Sequence, residues 1–370
     1  MKSSEEVVER DLEYICNNLR DEFAVLSGKH VLLTGGAGFL GYYLVQAILK
    51  QNKSTSPKEA IRLTVYDNYI RGVPAWLTNL ADDRNLSLIE HDMAGCLPRN
   101  IDDYQYIIHA ASIASPTYYR RHPIETMDAN VNGLRSLLEY SRAQQRENKH
   151  VEGFLFYSSS EIYGDPSPEA IPTPETYHGN VSCTGPRACY DESKRYGETL
   201  CVNFAHQHNL RICIVRPFNN YGPGLKITDR RALPDFARDI LAGKDIIMLS
   251  DGSPTRTFCY VADAIIGYYK VLVRGKDGEP YNIGVEHPEI SIAALAERVV
   301  ETGRELFGYK GKVIHRVSPD KDYLVDNPTR RCPMIAKART QLDYNPGISL
   351  DEGLRRTLLW YKDNRDAEEA

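Results

Sequence analysis

The segment 31–41 constrains the fold of this chain more than any other. It reads Val-Leu-Leu-Thr-Gly-Gly-Ala-Gly-Phe-Leu-Gly, so an apolar stretch typical of a buried strand runs into glycines and then into an apolar helical pattern. Gly35, Gly38 and Gly41 have the spacing GxxGxxG, which permits a tight turn, close approach of the backbone to a pyrophosphate and close helix packing. Free N–H groups at the start of that helix suit phosphate oxygens. The segment therefore predicts a dinucleotide-binding strand, loop and helix.

A second predicted strand, 61–66, leads directly into Asp67. A carboxylate at this place binds the ribose hydroxyls of a dinucleotide and repels a 2′-phosphate, so we expect NAD rather than NADP. Arg71 lies close by in the sequence and argues in the opposite direction, because a guanidinium accepts a 2′-phosphate. The distance from Gly41 to Asp67 exceeds the usual spacing of about 20 residues, and the polar insert 51–58 accounts for the excess.

Two further apolar runs, 106–112 and 154–159, are typical of buried parallel strands. The repeated order of strand, helix and strand predicts an α/β fold, with a Rossmann-type doubly wound parallel sheet and a smaller C-terminal α/β lobe. The predicted ranges are 1–28 for an N-terminal amphipathic helix, 29–217 plus about 257–285 for the NAD-binding domain, and 218–256 plus 286–370 for an interleaved substrate lobe.

Tyr190 and Lys194 stand four residues apart, so they share one face of a predicted helix. On such a face the lysine ammonium can lie beside the phenol and lower the pKa of Tyr190 toward neutrality, which would make the tyrosine a usable base. The same spacing is also common in pairs that lie on a helix surface and have no catalytic role. The predicted catalytic residues are Tyr190, Lys194, Ser159, Ser160 and Glu161.

Several long runs, between about His30 and Tyr361, resemble the extended short-chain dehydrogenase/reductases that act on nucleotide sugars. Within that superfamily the chain is most similar to the UDP-glucuronate decarboxylases, also called UDP-xylose synthases. The segment 216–223 is shared across the superfamily and supports only the broader assignment. The runs that carry the closer similarity are His109-Ala110-Ala111 with Ala114-Ser115-Pro116, Ser159-Ser160-Glu161-Ile162-Tyr163-Gly164-Asp165-Pro166, Glu175-Thr176-Tyr177-His178-Gly179-Asn180-Val181, and Cys189-Tyr190-Asp191-Glu192-Ser193-Lys194-Arg195.

The resemblance implies a first step shared by these enzymes. Tyr190 is expected to remove the proton of the sugar C4 hydroxyl while the C4 hydride passes to NAD, and Ser159 is expected to hydrogen-bond the same oxygen. The predicted cofactor contacts are Gly35, Gly38, Phe39, Leu40, Gly41, Asp67, Asn68, Asp92, Met93, Ala110, Ala111, Ser112, Asn130, Tyr190 and Lys194.

Ser160 and Glu161 bear on the second step. A related 4,6-dehydratase carries Asp-Glu here, because loss of water from C6 needs an acid at the leaving hydroxyl, and Ser160 removes that acid. A 4-epimerase needs no carboxylate, which would leave Glu161 unexplained. A 4-ketone makes the C5 carboxylate a β-keto acid that expels CO2 on its own. We therefore expect decarboxylation of a nucleotide hexuronate, with hydride returned from NADH to C4.

Three alternatives remain open. The chain could be a nucleotide-sugar epimerase or dehydratase on the same scaffold. It could also be a non-catalytic NAD-binding scaffold or sensor, although such a protein would be expected to lose Tyr190, Lys194 or Ser159. Finally, Glu161 could be a structural carboxylate that accepts backbone N–H bonds at a strand-to-loop corner.

The residues that would bind substrate follow from the resemblance. Arg256 lies in the matching arginine segment, and a diphosphate is its expected partner ahead of a carboxylate. Arg330 or Arg331 could clamp a phosphate. The loop 224–231 and Met334 depart from the family pattern, so the base and the sugar stay open. The predicted substrate contacts are Tyr119, Asn219, Arg231, Arg256, Tyr281 and Arg330.

Composition narrows the class of protein. The chain has 370 residues and a formal net charge of −5, which gives no electrostatic footprint for nucleic acid. It has no apolar run near 18 residues, so no spanning helix is predicted. Its eight cysteines show no CxxC spacing, which favours a reducing cytoplasm. His206 and His208 lack a partner cluster, so no metal site is predicted.

The N-terminal segment and two later helices carry further apolar faces. Apolar residues recur at three- and four-residue steps in 4–26, which predicts an amphipathic helix. Its default position is against its own nucleotide domain, with a subunit contact as the second choice. The resemblance implies that helices over 127–141 and 196–208 form a four-helix bundle across a two-fold axis, and hence a homodimer.

Overall fold

The computed structural model describes residues 1–316 and 325–365, and its centre is a seven-stranded sheet. The predicted segment 286–370 therefore includes residues, 317–324 and 366–370, that lie outside the described part. The strands are β1 (His30–Thr34), β2 (Arg62–Asp67), β3 (Leu86–Glu90), β4 (Tyr106–His109), β5 (Gly153–Tyr157), β6 (Ile212–Pro217), β7 (Asn220–Tyr221), β8 (Ile246–Met248), β9 (Thr255–Thr257), β10 (Cys259–Tyr260), β11 (Pro280–Ile283), β12 (Glu289–Ser291), β13 (Val313–His315) and β14 (Arg330–Arg331).

Helices cover both faces of this sheet. Short 3₁₀ turns occupy Ser160–Tyr163 and Pro168–Ala170, and a π-helical turn occupies Ala129–Gly133. The α-helices are α1 (Ser4–Asn18), α2 (Arg20–Leu26), α3 (Phe39–Asn52), α4 (Ala75–Thr78), α5 (Pro116–Tyr119), α6 (Pro123–Asp128), α7 (Leu134–Arg146), α8 (Ala188–His208), α9 (Ala232–Leu241), α10 (Val261–Arg274), α11 (Ile292–Phe307), α12 (Ala336–Leu342) and α13 (Leu350–Asn364).

The strand order of the large sheet is β11-β6-β5-β4-β1-β2-β3, and every neighbouring pair is parallel. The chain winds outward in one direction from β1 to β3 and in the other from β4 to β11. Between β1 and β4 the order reverses, and the carboxyl ends of the strands leave a crevice there that suits ligands. This arrangement confirms the predicted doubly wound α/β fold.

Within the described residues, three small sheets lie outside the large one. They pair β12 with β9 and β9 with β14, β10 with β7, and β13 with β8. The chain therefore leaves the large sheet after β6, builds part of the small sheets, and returns to the large sheet at β11. This path agrees with an interleaved C-terminal lobe, while the predicted domain limits stay a prediction.

The predicted single helix over 4–26 is wrong in one respect, because it is broken at Leu19 into α1 and α2. The side-chain amide of Asn18 donates to the carbonyl of Tyr14 at 2.9 Å, a local bond that competes with continuation of the helix. The break lets both apolar stripes face inward. Both helices pack against the rest of the chain, α1 on α3, α10 and α13, and α2 on α10. The helices α3 and α10 lie in the predicted nucleotide domain, as expected, whereas α13 lies in the predicted C-terminal lobe.

Asp11 of α1 is fully buried and joins this segment to distant elements. Its carboxylate accepts hydrogen bonds from the hydroxyls of Tyr43 at 2.6 Å and Tyr260 at 2.5 Å, and it pairs with Arg356. Tyr43 lies on α3, Tyr260 on β10 and Arg356 on α13. One carboxylate therefore connects α1 with three other elements of the fold.

We predict that Asp11→Ala lowers the free energy of unfolding by about 3 kcal/mol, because removing one member of a buried ion pair leaves a buried charge uncompensated. This loss lies at the low end of the usual cost of breaking a buried ion pair, because Glu352 still pairs with Arg356 at 2.9 Å. Chemical denaturation measures the change. Glu13→Ala, which removes an exposed carboxylate of the same helix, should change stability by less than about 0.5 kcal/mol. Equal effects of the two variants would contradict the proposed importance of Asp11.

Candidate active site

A cleft of about 1130 Å³ opens at the carboxyl ends of the large sheet. This volume exceeds the range of about 300–1,000 Å³ that is usual for one small ligand, so the cleft has room for a dinucleotide together with a second molecule. Its wall combines the glycine loop, the ends of β2, β4 and β5, the start of α8 and parts of the C-terminal lobe.

The glycine loop has the geometry that its spacing predicts. Gly35 adopts a φ of +76°, and a Cβ there would lie 2.6 Å from Cα of Ala111. A Cβ on Gly41 would lie 2.0 Å from the carbonyl oxygen of Gly36, so α3 packs directly on the loop. Gly38 caps the N-terminus of α3 and lines the cleft. A phosphate-bearing ligand can therefore approach this backbone closely.

Asp67 lies at the end of β2 beside this loop. Its carboxylate accepts from the N–H groups of Ala37 and Tyr69, each at 2.9 Å, and burial raises its pKa. Arg71, which the sequence left as a possible partner for a 2′-phosphate, instead pairs with Asp229 at 3.1 Å and lies 4.9 Å from the ring centre of Tyr118. The arrangement around Asp67 therefore suits the unmodified ribose of NAD.

Most of the other predicted cofactor residues reach the cleft. Two of the predicted residues, Gly41 and Asn130, are not part of the cleft wall: Gly41 packs against the backbone of Gly36, and the side-chain amide of Asn130 donates to the hydroxyl of Ser193 at 2.9 Å. Ser112 does reach the cleft, and within the described residues its buried hydroxyl has no hydrogen-bond partner. The predicted residues that line the cleft are Gly35, Gly38, Phe39, Leu40, Asp67, Asn68, Asp92, Met93, Ala110, Ala111, Ser112, Tyr190 and Lys194.

Tyr190 and Lys194 lie on the first turns of α8, and both are buried. The ring of Tyr190 stacks on that of Tyr119, with the ring centres 5.2 Å apart and the planes 13° from parallel. Lys194 donates to the carbonyl of Tyr157 at 2.8 Å, and its Nζ lies 5.8 Å from the ring centre of Tyr190. Ser159, which follows β5, hydrogen-bonds Tyr190. The three predicted residues therefore do meet.

The expected lowering of the pKa of Tyr190 by Lys194 is wrong for the chain without ligands. Burial raises the pKa of Tyr190 to about 12, although the hydrogen bond from Ser159 opposes this. Burial also lowers the pKa of Lys194 to about 7. The ammonium points at a backbone carbonyl rather than at the phenol. A further positive charge in the cleft would be needed to bring the phenol nearer to neutrality.

Ser160 and Glu161 begin the 3₁₀ turn that follows β5. The carboxylate of Glu161 pairs with the guanidinium of Arg187 and, at 3.0 Å, with that of Arg331. Arg331 also donates to the hydroxyl of Ser160 at 3.0 Å. Burial alone would raise the pKa of Glu161, but Arg187, Arg331 and Arg256 together lower it. Glu161 is therefore ionised at neutral pH.

The predicted substrate residues divide into two groups. Tyr119, Asn219, Arg231 and Arg256 line the cleft. The hydroxyl of Tyr119 and the side-chain nitrogen of Asn219 are buried there without a hydrogen-bond partner in the described part of the chain. Buried polar groups of this kind are normally satisfied, so both are available to a ligand. Arg256 already donates to the carbonyl of Pro328 at 2.6 Å.

Two predicted substrate residues lie outside the cleft wall. Tyr281 is fully buried in β11, outside the cleft wall, and its hydroxyl donates to the side chain of Gln341 at 2.9 Å. Arg330 forms a two-pronged pair with Glu289 at 2.9 and 2.7 Å and also lies outside the wall. Its neighbour Arg331 reaches Glu161 instead, because successive strand residues point to opposite sides.

Two residues of this site, Arg187 and Asp191, were not predicted from the sequence. Arg187 holds Glu161, and its Nε lies 3.6 Å from a carboxylate oxygen of Asp191. The only sequence signal was the four-residue spacing between Arg187 and Asp191, which is common on helix surfaces. Burial, and then the charge of Glu161, raise the pKa of Asp191 to about 7.

Residues 31–284 match the model of the NAD dependent epimerase/dehydratase family. The chain belongs to this family. NAD is its cofactor, and the glycine loop, Asp67 and the unsatisfied hydroxyl of Ser112 fit that dinucleotide. On binding, NAD would supply a hydride acceptor, and its positive nicotinamide ring would add the charge that the pKa of Tyr190 requires.

Known proteins of the epimerase/dehydratase type are similar over nearly the whole chain. UDP-glucuronic acid decarboxylase 5 of Arabidopsis thaliana is 35% identical over 336 residues, which cover 91% of this chain and 90% of that protein. The epimerase Mth375 of Methanothermobacter thermautotrophicus has a TM-score of 0.77 at 26% identity, covering 96% and 98% of the two chains. UDP-glucuronic acid 4-epimerase of Bacillus cereus, solved with UDP-glucuronic acid and NAD, has a TM-score of 0.71 at 25% identity, covering 90% and 99%.

Within residues 1–316 and 325–365 no group of histidine, cysteine and acidic side chains could hold a metal ion. Nor does that part of the chain contain a helix with the length and apolar character needed to cross a membrane. All eight cysteines are free thiols.

Gly35→Ala should weaken NAD binding by tenfold or more, because the new Cβ meets the backbone of Ala111 at a positive φ. Isothermal titration calorimetry with NAD measures the affinity. Gly308→Ala is the matched control: it carries a similar φ of +65°, but nothing lies within 4 Å of the added Cβ. The control should lose some stability and keep its affinity. Wild-type affinity in Gly35→Ala would show that NAD does not lie against this loop.

Proposed function

We propose that this NAD-dependent nucleotide-sugar enzyme oxidises its substrate at C4 and decarboxylates a nucleotide hexuronate, in a reaction of the UDP-glucuronate-to-UDP-xylose type. The observation that carries the proposal is the ionised Glu161, held by Arg187 and Arg331 beside Tyr190, with a serine where a dehydratase needs an acid. The decarboxylases that are 35% identical support the same reaction.

Tyr190 is the proposed base of the first step. It takes the proton from the C4 hydroxyl, while Ser159 donates a hydrogen bond to the same oxygen and orients it. The stacked ring of Tyr119 holds the phenol in place. Lys194 contributes a second positive charge near the phenol once its amine is protonated, as the pKa of about 7 allows on the acidic side of neutrality.

The second step needs no acid from the protein. With a ketone at C4, the C5 carboxylate leaves as CO2 and the bonding electrons move into the ketone to form an enolate. C5 then takes up a proton from water, and the C4 ketone is reduced again by the hydride that was removed in the first step, so the reaction has no net redox change. Glu161 and Ser160 orient the ring, because Arg331 holds the side chains of both.

The charges of the site suit an acidic substrate. Arg187, Arg331 and Arg256 all approach Glu161, so guanidinium groups outnumber that carboxylate. Arg256 and Arg231 are the proposed contacts of the diphosphate, because both line the cleft. Guanidinium groups bind phosphate and carboxylate equally well in a forked geometry.

A 4-epimerase is the second candidate. The similarity to the Bacillus cereus epimerase, whose structure holds UDP-glucuronic acid, favours a hexuronate substrate without loss of CO2. In that reaction the 4-keto sugar would rotate within the cleft and take the hydride back on its other face. The paired arginines at Glu161 argue against such a rotation, because they fix the part of the wall that the ring would contact.

The decisive experiment incubates the protein and NAD with UDP-, dTDP-, CDP- and GDP-linked hexoses and hexuronates and follows the product masses. We expect a hexuronate to lose the mass of CO2. Loss of water would identify a dehydratase, and a product of unchanged mass an epimerase. Glu161→Gln should slow CO2 release about a hundredfold, the usual cost of a misplaced substrate.

Glu169→Gln is the matched control for this experiment. Glu169 is an exposed carboxylate a few residues along the same loop, so its replacement should leave CO2 release unchanged. If Glu161→Gln releases CO2 at the wild-type rate, Glu161 is a structural carboxylate and the role proposed for it is wrong.

We also propose that the enzyme is a homodimer through α6, α7 and α8. The helix predicted over 127–141 is interrupted by the π-helical turn, but the face it forms with α8 leaves large apolar side chains exposed. Met127 is 42% exposed and Tyr196 49% exposed. Exposed apolar side chains on neighbouring helices are typical of an interface.

Light scattering at micromolar concentration should therefore give the mass of two chains. Met127→Glu combined with Tyr196→Glu should give the mass of one chain, because the new carboxylates would have to be buried in the interface. Val25→Glu, at an exposed apolar position on α2, should leave the mass unchanged. A wild-type monomer would refute the proposed dimer.

A further inference from the structure

The guanidinium of Arg187 lies between two carboxylates. Its guanidinium contacts Glu161 on one side, and its Nε lies 3.6 Å from Asp191 on the other. Glu161 comes from the 3₁₀ turn after β5, whereas Asp191 comes from the first turn of α8. Glu161 and Arg187 line the cleft, but Asp191 does not. Asp191 can therefore act on a ligand only through neighbouring side chains, and Arg187 is the cation that it approaches most closely.

Asp191 is the less neutralised of the two carboxylates. Glu161 makes close contacts with two guanidinium groups, whereas Asp191 has only the 3.6 Å approach of Arg187. Among the described residues, none hydrogen-bonds the second carboxylate oxygen of Asp191, although that oxygen is buried. The charged or titratable groups that face Asp191 are Glu161, Arg187, Arg331, Tyr119, Tyr190 and Cys189.

A buried carboxylate that lacks close partners holds a proton in preference to a charge. Consistent with this, burial raises the pKa of Asp191 to about 7, while the arginines lower that of Glu161. When two carboxylates share one cation, the proton belongs to the pair, and the better paired member stays ionised. In this pair Glu161 stays ionised, and Asp191 is the member that a further negative charge would protonate.

A substrate carboxylate beside Arg187 would change this balance. With Arg256 assigned to the diphosphate, Arg187 and Arg331 supply two positive charges here, whereas Glu161, an ionised Asp191 and the substrate carboxylate would carry three negative ones. Protonation of Asp191 restores neutrality. The overall reaction also consumes one proton, because the carboxylate leaves as CO2 and C5 gains hydrogen, so uptake at the binding step matches the stoichiometry of turnover.

We propose that Asp191 is a positioning residue that takes up one proton when a carboxylate-bearing sugar binds, and so releases Arg187 from one of its two anions for the substrate. The inference rests on the proposed function for the carboxylate at C5. It extends that function by assigning to a residue outside the cleft both the selection of acidic sugars and the pH dependence of their binding.

The experiment is calorimetric titration of the NADH-loaded protein, which cannot begin a turnover, with UDP-glucuronate and with UDP-glucose. Titrations near pH 7.5, in buffers of different ionisation enthalpy, count the protons taken up. The two ligands share the same nucleotide and diphosphate, so their difference reports the carboxylate alone. We expect wild type to take up most of one proton more with UDP-glucuronate than with UDP-glucose, because a carboxyl with a pKa of about 7 is largely, though not fully, ionised at this pH before binding.

Asp191→Asn imitates the protonated state and should abolish this difference. Above pH 7 the affinity of wild type for UDP-glucuronate should fall by up to about tenfold per pH unit, the limit for one linked proton, and that of Asp191→Asn should stay level. Glu192→Gln is the matched control, because it removes a neighbouring, partly exposed carboxylate that pairs with Arg195. It should behave as wild type does.

Equal proton uptake with the two ligands in wild type would overturn the proposal, and that measurement requires no variant. An unchanged difference in Asp191→Asn would overturn it as well. UDP-glucose affinity within about twofold of wild type shows that the variant site is folded. Failure of the proposed function looks different: UDP-glucuronate would then bind with proton uptake, yet the NAD-loaded enzyme would release no CO2.

Discussion

The ion pairs of Glu161 with Arg187 and Arg331 join three distant parts of the chain at one point. Glu161 follows β5, Arg187 immediately precedes α8 and Arg331 ends β14. A buried ion pair persists only while each charge keeps its partners, because an unpaired charge in this place is costly. The C-terminal lobe therefore supplies part of the wall beside Tyr190, and the site is complete only when both lobes are folded.

The low dielectric constant of the buried site also explains why its charges are not balanced in the absence of ligands. Burial raises the pKa of Tyr190 and lowers that of Lys194, so both groups are driven toward their neutral forms. A positively charged nicotinamide would reverse part of this effect at the tyrosine. Acidic substrate groups would in turn satisfy the excess of guanidinium around Glu161. Cofactor and substrate would thus correct opposite imbalances of charge, one at Tyr190 and the other around Glu161 beside it.

Local patterns predicted most of the fold and the cofactor half of the site. The glycine spacing, the strand ending at Asp67 and the four-residue step from Tyr190 to Lys194 depend only on helix and strand geometry, and the structure places them as expected. Predictions that depended on where a side chain points in the folded structure were less accurate. Tyr281 and Arg330 point away from the cleft, and Asn130 supports Ser193 from behind the wall.

The sequence by itself determined the doubly wound sheet, the NAD-binding loop and the positions of Ser159, Tyr190 and Lys194, because these follow from periodicities and spacings that neighbouring residues impose. Only the tertiary structure decided that Arg331 rather than Arg330 reaches Glu161. It also decided that Arg187 links Glu161 to Asp191. Arg71, which could have bound a 2′-phosphate, pairs with Asp229 for the same reason. Those choices depend on how separate elements pack, and on which charges burial forces together.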